Sequence, residues 1–253
     1  MREQRNPYDD PVFVARYARS RPGPPHDLIP LLTQLSGRPR PRLVVDLGCG
    51  TGLSTVAWSG HADRVVGIDA NPMMQRHALP AKGVEYRPAP ATDTRVRSGT
   101  VDVVTCSQSF HWMRPRPTIR EVARILRRGG VFAAIDYALP PVIDPRLDPA
   151  FTALLRWAGL PPVPDEKSAH VRNLVGSGRF RWVGECALHG ADTGNARRVT
   201  DLALSIAHVA ARLPEGDASR DPHFLRLKRA ARRTLGTGRR RFWWSYKTVL
   251  AVK

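Results

Sequence analysis

The stretch Val44-Val45-Asp46-Leu47-Gly48-Cys49-Gly50-Thr51-Gly52 reads as a buried parallel strand that breaks into a glycine turn and opens a helix. Glycine is needed where the backbone takes positive φ or presses on a ligand with no Cβ in the way. Three at alternate positions make room for a nucleotide-like group. The dinucleotide fingerprint spaces its glycines G-x-G-x-x-G, the third packing helix on strand while the helix N-terminus receives a pyrophosphate. Here the spacing is G-x-G-x-G, and the acid Asp46 precedes it.

A second β-branched run, Arg64 to Asp69, ends in a carboxylate about 20 residues beyond the turn, the separation at which a βαβ unit delivers an acid to ribose hydroxyls. A carboxylate accepts two hydrogen bonds from a vicinal diol, and this one would repel a 2′-phosphate. Asn71-Pro72 then reads as a cap and first turn of the helix carrying Met73 and Met74. Further strand candidates are Leu43 to Leu47, Val84 to Arg87, Val101 to Cys106 and Val131 to Tyr137. Alternation with helix-forming segments makes this a βαβ series with a parallel sheet. Apolar residues at helical spacing predict a helix over Ile119 to Arg127, stopped by Gly129-Gly130. Later, Phe151 to Leu160 and Thr200 to Leu213 read as helices flanking a strand from Phe180 to His189. Phe242 to Val252 reads as a last strand in which Trp243, Trp244 and Tyr246 alternate faces.

The glycine turn with its acid resembles motif I of class I S-adenosylmethionine-dependent methyltransferases. Arg87 to Thr94, Gly99-Thr100, Val101-Asp102, Ser107-Gln108-Ser109-Phe110-His111-Trp112 and Leu126 to Gly130 are similar to successive blocks of the small-molecule branch with a His-Trp pair after the fourth strand. The resemblance implies a Rossmann-like, seven-stranded, mostly parallel α/β sheet with helices on both faces. It implies one domain over 1–253, with an N-terminal cover (1–40), a cofactor half (41–137) and a substrate-side half (138–253). The implied cofactor is S-adenosylmethionine, leaving as S-adenosylhomocysteine. Its expected contacts are Asp46, Gly48, Cys49, Gly50, Gly52, Asp69, Ala70, Met73, Thr92, Asp93, Thr94, Ser107 and Trp112. Thr92 stands where the family often has Glu, which makes Asp93 the candidate for the adenine amino group. Tyr17 to Gly23 is similar to the family's Tyr…Arg-Pro entry segment.

Methyl transfer from a sulfonium is an in-line displacement, so positioning supplies most of the rate. A hydroxyl or an indole carbon also gains from a base. His111 follows the C-terminal end of a strand, where open α/β sheets bind ligands, and is the candidate base; a structural role beneath the cofactor is the competing reading. Tyr8, Tyr17, Arg21, His111, Tyr137 and His208 are the candidate substrate contacts, with His208 and Ser205 on one helix face. Asp136 has no evident companion carboxylate, and no metal is expected.

The net charge of +18 raises the possibility of a nucleic-acid partner. Lysine occurs only at 82, 167, 228, 247 and 253, so arginine carries the charge, and its densest groups (226 to 233, 239 to 241) lie far along the chain from the turn. A solvated helix face accounts for them, and nucleic acid is not the expected partner. The fourth strand also lacks the Asn/Asp-Pro-Pro-aromatic signature of amino-methylating DNA enzymes. Cys49, Cys106 and Cys186 show no metal spacing and suit a reducing compartment. With no membrane span or signal peptide, a cytoplasmic monomer or homodimer acting on a small, aromatic or hydrophobic metabolite of specialised metabolism is expected. Two alternatives stay open: methylation of nucleic acid or protein, and a cofactor-binding protein that cyclises or does no chemistry.

Overall fold

Val44, Val45 and Leu47 are fully buried in the first strand, as a strand covered on both faces requires. The computed structural model describes residues 6–160, 167, 169–213, 218 and 220–253. In chain order the strands are β1 (Leu43–Leu47), β2 (Arg64–Asp69), β3 (Val84–Pro88), β4 (Val101–Ser107), β5 (Leu126–Tyr137), β6 (Trp182–Gly194) and β7 (Arg240–Val252). The helices are α1 (Pro11–Ser20), α2 (Leu28–Ser36), α3 (Pro72–Arg76), α4 (Pro115–Ile125), α5 (Asp148–Trp157), α6 (His170–Val175), α7 (Ala196–Leu204), α8 (Ala207–Arg212) and α9 (Pro222–Leu235).

The chain falls into two compact units. Gly23–Tyr137, Asp165–Leu188 and Ser245–Lys253 form the one that carries the glycine turn. Its sheet runs β3-β2-β1-β4-β5-β7-β6, a seven-stranded Rossmann-like α/β arrangement. β1 pairs in parallel with both β2 and β4, and β7 runs antiparallel to β5. The strand order reverses between β1 and β4, and a crevice outside the carboxyl ends at such a reversal is where open α/β sheets hold ligands. Val45, Val104, Phe132, Ile119 and Val122 share one buried cluster, which fixes α4 on the sheet.

The other unit, Met1–Pro22, Ala138–Pro164 and His189–Trp244, is mostly helical. Trp157 stacks on His223 at 5.0 Å, joining α5 to α9. Val142 bridges antiparallel to Trp243. Trp243 is half exposed whereas Trp244 and, beyond the unit boundary, Tyr246 are buried, the alternation expected of this strand. Among the described residues no helix is long and apolar enough to cross a membrane.

Three expectations need correction. The turn after Gly52 opens no regular helix: Val56 N–H reaches Gly52 O once, and a 3-10 turn over Val56–Trp58 follows. Ser54 and Thr55 hydroxyls are drawn to Asp46, which holds this segment in turns. The helix expected to run to Arg127 ends at Ile125, because Leu126 turns extended and begins β5. Gly129 and Gly130 therefore lie inside that strand. The helix expected over Thr200 to Leu213 is two, since Ser205 Oγ bonds back to Leu202 O and Ile206 is extended.

Candidate functional site

Gly48, Gly50 and Gly52 take φ of +66°, +54° and +79°, the left-handed region that favours glycine. A Cβ on Gly48 would lie 2.5 Å from Ser109 Cβ, and one on Gly50 2.9 Å from Met74 Cε. The turn hangs from β2, with Gly48 and Cys49 N–H both donating to Ile68 O. Beneath it, Asp46 is fully buried. Its carboxylate accepts from Ser54 and Thr55 at 2.7 Å and from Thr105 at 2.8 Å. Burial pushes this carboxyl above its ordinary range, and the three hydroxyls pull back only in part.

Asp69 stands at the end of β2, half-buried. One oxygen accepts the Gly50 N–H and the other the Asn71 N–H, each at 2.8 Å. Burial raises its carboxyl above the ordinary value against these two bonds. A carboxylate offers about four lone-pair sites, so each oxygen keeps acceptor capacity for a vicinal diol. Thr51 Oγ1, in the same turn, is buried with no hydrogen-bond partner among the described residues. Side-chain-free backbone, a carboxylate with capacity to spare and an unsatisfied hydroxyl fit the adenosyl group that the sequence implies.

At the carboxyl ends of β4 and β5 stands a second cluster. His111 Nδ1 lies 3.3 Å from Asp136 Oδ1, close enough to pair but not aligned as a hydrogen bond. Lys167 Nζ is 3.0 Å from the same oxygen, and His170 Nε2 is 3.1 Å from the other. Burial alone would raise the Asp136 carboxyl, but the two imidazoles and the ammonium outweigh it and hold it well below the usual carboxylate range. Lys167 also donates to Gln108 Oε1 at 2.8 Å. Gln108 itself has φ +54°, a conformation that costs an L-residue about 1–2 kcal/mol. Its backbone N–H bonds to Ile135 O and its side chain to Tyr137 O, which fix it there. Asp136 thus has three basic partners. His170 and Lys167 carry no turn or strand signal, and proximity to Asp136 is a tertiary fact.

The remaining candidates divide. Ala70 is exposed and Met73 half-buried beside Asp69 in sequence, while Ser107 is half-buried at the end of β4. Thr92 is half-buried, Asp93 exposed, and Trp112 63% exposed. Asp46 and Thr94 are both buried. Asp46 supports the turn from below and offers no surface. The N–H and hydroxyl of Thr94 both donate to Glu121 Oε1, at 2.8 and 2.6 Å, which ties the loop to α4. The Cys49 side chain also points inward, where its sulfur would sit 3.0 Å from a Cβ on Gly67. Tyr137 is buried and meets Tyr246 edge to face at 6.0 Å.

Tyr8, Tyr17, Arg21 and His208 lie in the mostly helical unit. Tyr8 packs edge-on against Phe13 and Tyr17, and burial pushes its phenol up to about 12. Arg21 lies 4.8 Å over the Tyr17 ring and donates to Ser205 Oγ and O. His208 is exposed on α8, and the break at Ser205 removes the shared face expected for those two residues.

Residues 45–134 match the family model of a methyltransferase domain. An uncharacterized methyltransferase of Mycobacterium bovis is 36% identical over 120 residues, 46% of this chain and 47% of its own. The Saccharomyces cerevisiae protein named probable S-adenosylmethionine-dependent methyltransferase CRG1 is 30% identical over 138 residues, 51% of this chain and 47% of its own. The chain thus spans about half the length of these relatives. Among solved structures, a candidate type II methyltransferase from Anaeromyxobacter dehalogenans shares the fold with a TM-score of 0.69 at 23% identity, covering 92% of this chain and 97% of that one.

Proposed function

We propose that the chain, whose residues 45–134 match a methyltransferase domain, is a class I S-adenosylmethionine-dependent methyltransferase that methylates a small, aromatic or hydrophobic metabolite, with His111 as general base. The observation that carries this reading is His111 set against buried Asp136 at the sheet end where such folds bind ligands. Bound S-adenosylmethionine supplies an activated methyl group on a sulfonium. Asp69 holds the ribose hydroxyls and the Gly48–Gly52 backbone lies against the adenosyl group. Met73 and Asp93 are assigned to the adenine. Asp136 lies 3.3 Å from Nδ1 of the imidazole whose Nε2 is assigned to take the acceptor's proton. A role in specialised metabolism and a cytoplasmic location belong to the same proposal, as does a small-molecule acceptor in place of nucleic acid.

The test is turnover of the full chain with S-adenosylmethionine against a panel of phenols, indoles and carboxylic acids, read as S-adenosylhomocysteine released together with methylated product. His111→Ala is expected to lower turnover by about 10²–10⁴-fold while cofactor affinity stays within a few-fold. Full turnover in that variant removes the base. Methylation of RNA, DNA or protein, with none of any small acceptor, overturns the substrate class.

A further inference from the structure

The mostly helical unit carries an open, solvent-facing pocket of about 380 Å³ that the transfer chemistry does not use. It lies where β6 ends and α7 begins, and arginine dominates its wall: Arg19, Arg197, Arg198 and Arg239 line it, with Asp201 as the single carboxylate. The opposing charge is already committed. Arg198 is gripped by Asp192 through two bonds of 2.6 Å, with its guanidinium 5.0 Å over the Phe242 ring. Asp201 receives Arg19 through bonds of 3.0 and 3.2 Å and lies 3.7 Å from both Arg16 and Arg197. Five guanidiniums (16, 19, 197, 198 and 239) are therefore set against two carboxylates (192 and 201), a local excess of three positive charges.

The cluster is also built in place. Gly194 lets the chain close on it, since a Cβ there would lie 2.5 Å from Phe242 Cζ and 2.9 Å from Arg198 Cδ. Arg239 is anchored by one nitrogen to Thr193 Oγ1 at 2.9 Å. Arg197 extends into solvent, 79% exposed. Like charges held this close repel one another, and an oxyanion relieves that repulsion. A guanidinium fork matches phosphate oxygens two at a time. The volume lies in the range of small-molecule sites, roughly 300–1,000 Å³, and exceeds what a bare phosphate fills.

We propose that this pocket binds the phosphate group of a small soluble phosphomonoester, independently of the methyl-transfer site. The experiment is isothermal titration of the full chain with inorganic phosphate and with glycerol 3-phosphate, using glycerol and sodium chloride at equal ionic strength as controls. The same titrations are repeated on an Arg197→Gln/Arg239→Gln double variant whose melting temperature and S-adenosylmethionine affinity are measured alongside. Saturable binding of both phosphates is expected, the ester tighter, weakened at least about tenfold in the variant with cofactor affinity unchanged. No phosphate heat above the chloride control up to about 10 mM overturns the proposal, as does equal binding by the variant. Binding confined to phosphatidic acid vesicles, or to RNA with a steep salt dependence, also overturns it, because either marks a polyanion surface.

Discussion

At the scale of the residue, Asp136 is buried near the end of β5. Its carboxylate meets His111, Lys167 and His170 from three segments, and removing it strands basic groups that are 13%, 14% and 3% exposed. Breaking a buried pair from one side typically costs about 3–5 kcal/mol, so Asp136→Ala is expected to lower the melting temperature sharply in thermal denaturation. An unchanged melt contradicts the cluster. The place of Asp69 at the end of β2 was legible because a β-branched run after the glycine turn ends in it. The Asp136 partners were not, because His170 stands 34 residues away with no periodic relation to it. Asp46 and Thr94 show how readily short polar side chains are taken up by the protein itself, by Ser54, Thr55 and Thr105 in one case and by Glu121 in the other.

At the scale of the element, strands were read well because β-branched runs bounded by turn residues leave little ambiguity, as Leu43–Leu47 and Arg64–Asp69 illustrate. Helices were less legible where a single side chain ends them, as Ser205 does between α7 and α8. Glu121 shows how such side chains hold elements together: it accepts from Thr94 on the loop and pairs with Arg124 on its own helix. Burial would raise its carboxyl, but Arg124 and Thr94 outweigh burial and lower it from 4.5 to about 2. A depressed folded value means stability fully present above the unfolded value and lost as pH falls through the folded one. Wild type should therefore melt higher than Glu121→Gln at neutral pH, with the gap closing between pH 4.5 and about 2. A gap that stays constant across that window sinks the assignment. Gly50→Ala should weaken cofactor binding with a smaller loss in melting temperature, because its Cβ would enter at positive φ against a flexible methionine tip.

At the scale of the whole molecule, the seven-stranded, mostly parallel sheet agrees with the fold that the resemblance implied. The grouping of the chain into two interleaved units follows from contacts far apart in sequence, which no local pattern encodes. The net charge of +18 belongs to this scale as well. If the cofactor is held by hydrogen bonds at Asp69 and by the turn, its affinity should change only a few-fold between about 50 and 300 mM salt, whereas phosphate-dominated nucleic-acid binding falls steeply over that range. Titration at both salts separates the two. An adenosyl sulfonium lying over Gly48–Gly52 with its sugar on Asp69 is tested by calorimetric titration of S-adenosylmethionine into the wild-type chain and Asp69→Ala. Saturable one-to-one binding by the wild type, lost in the variant while its fold persists by circular dichroism, is the predicted result; equal affinity in both, or none in the wild type, contradicts it.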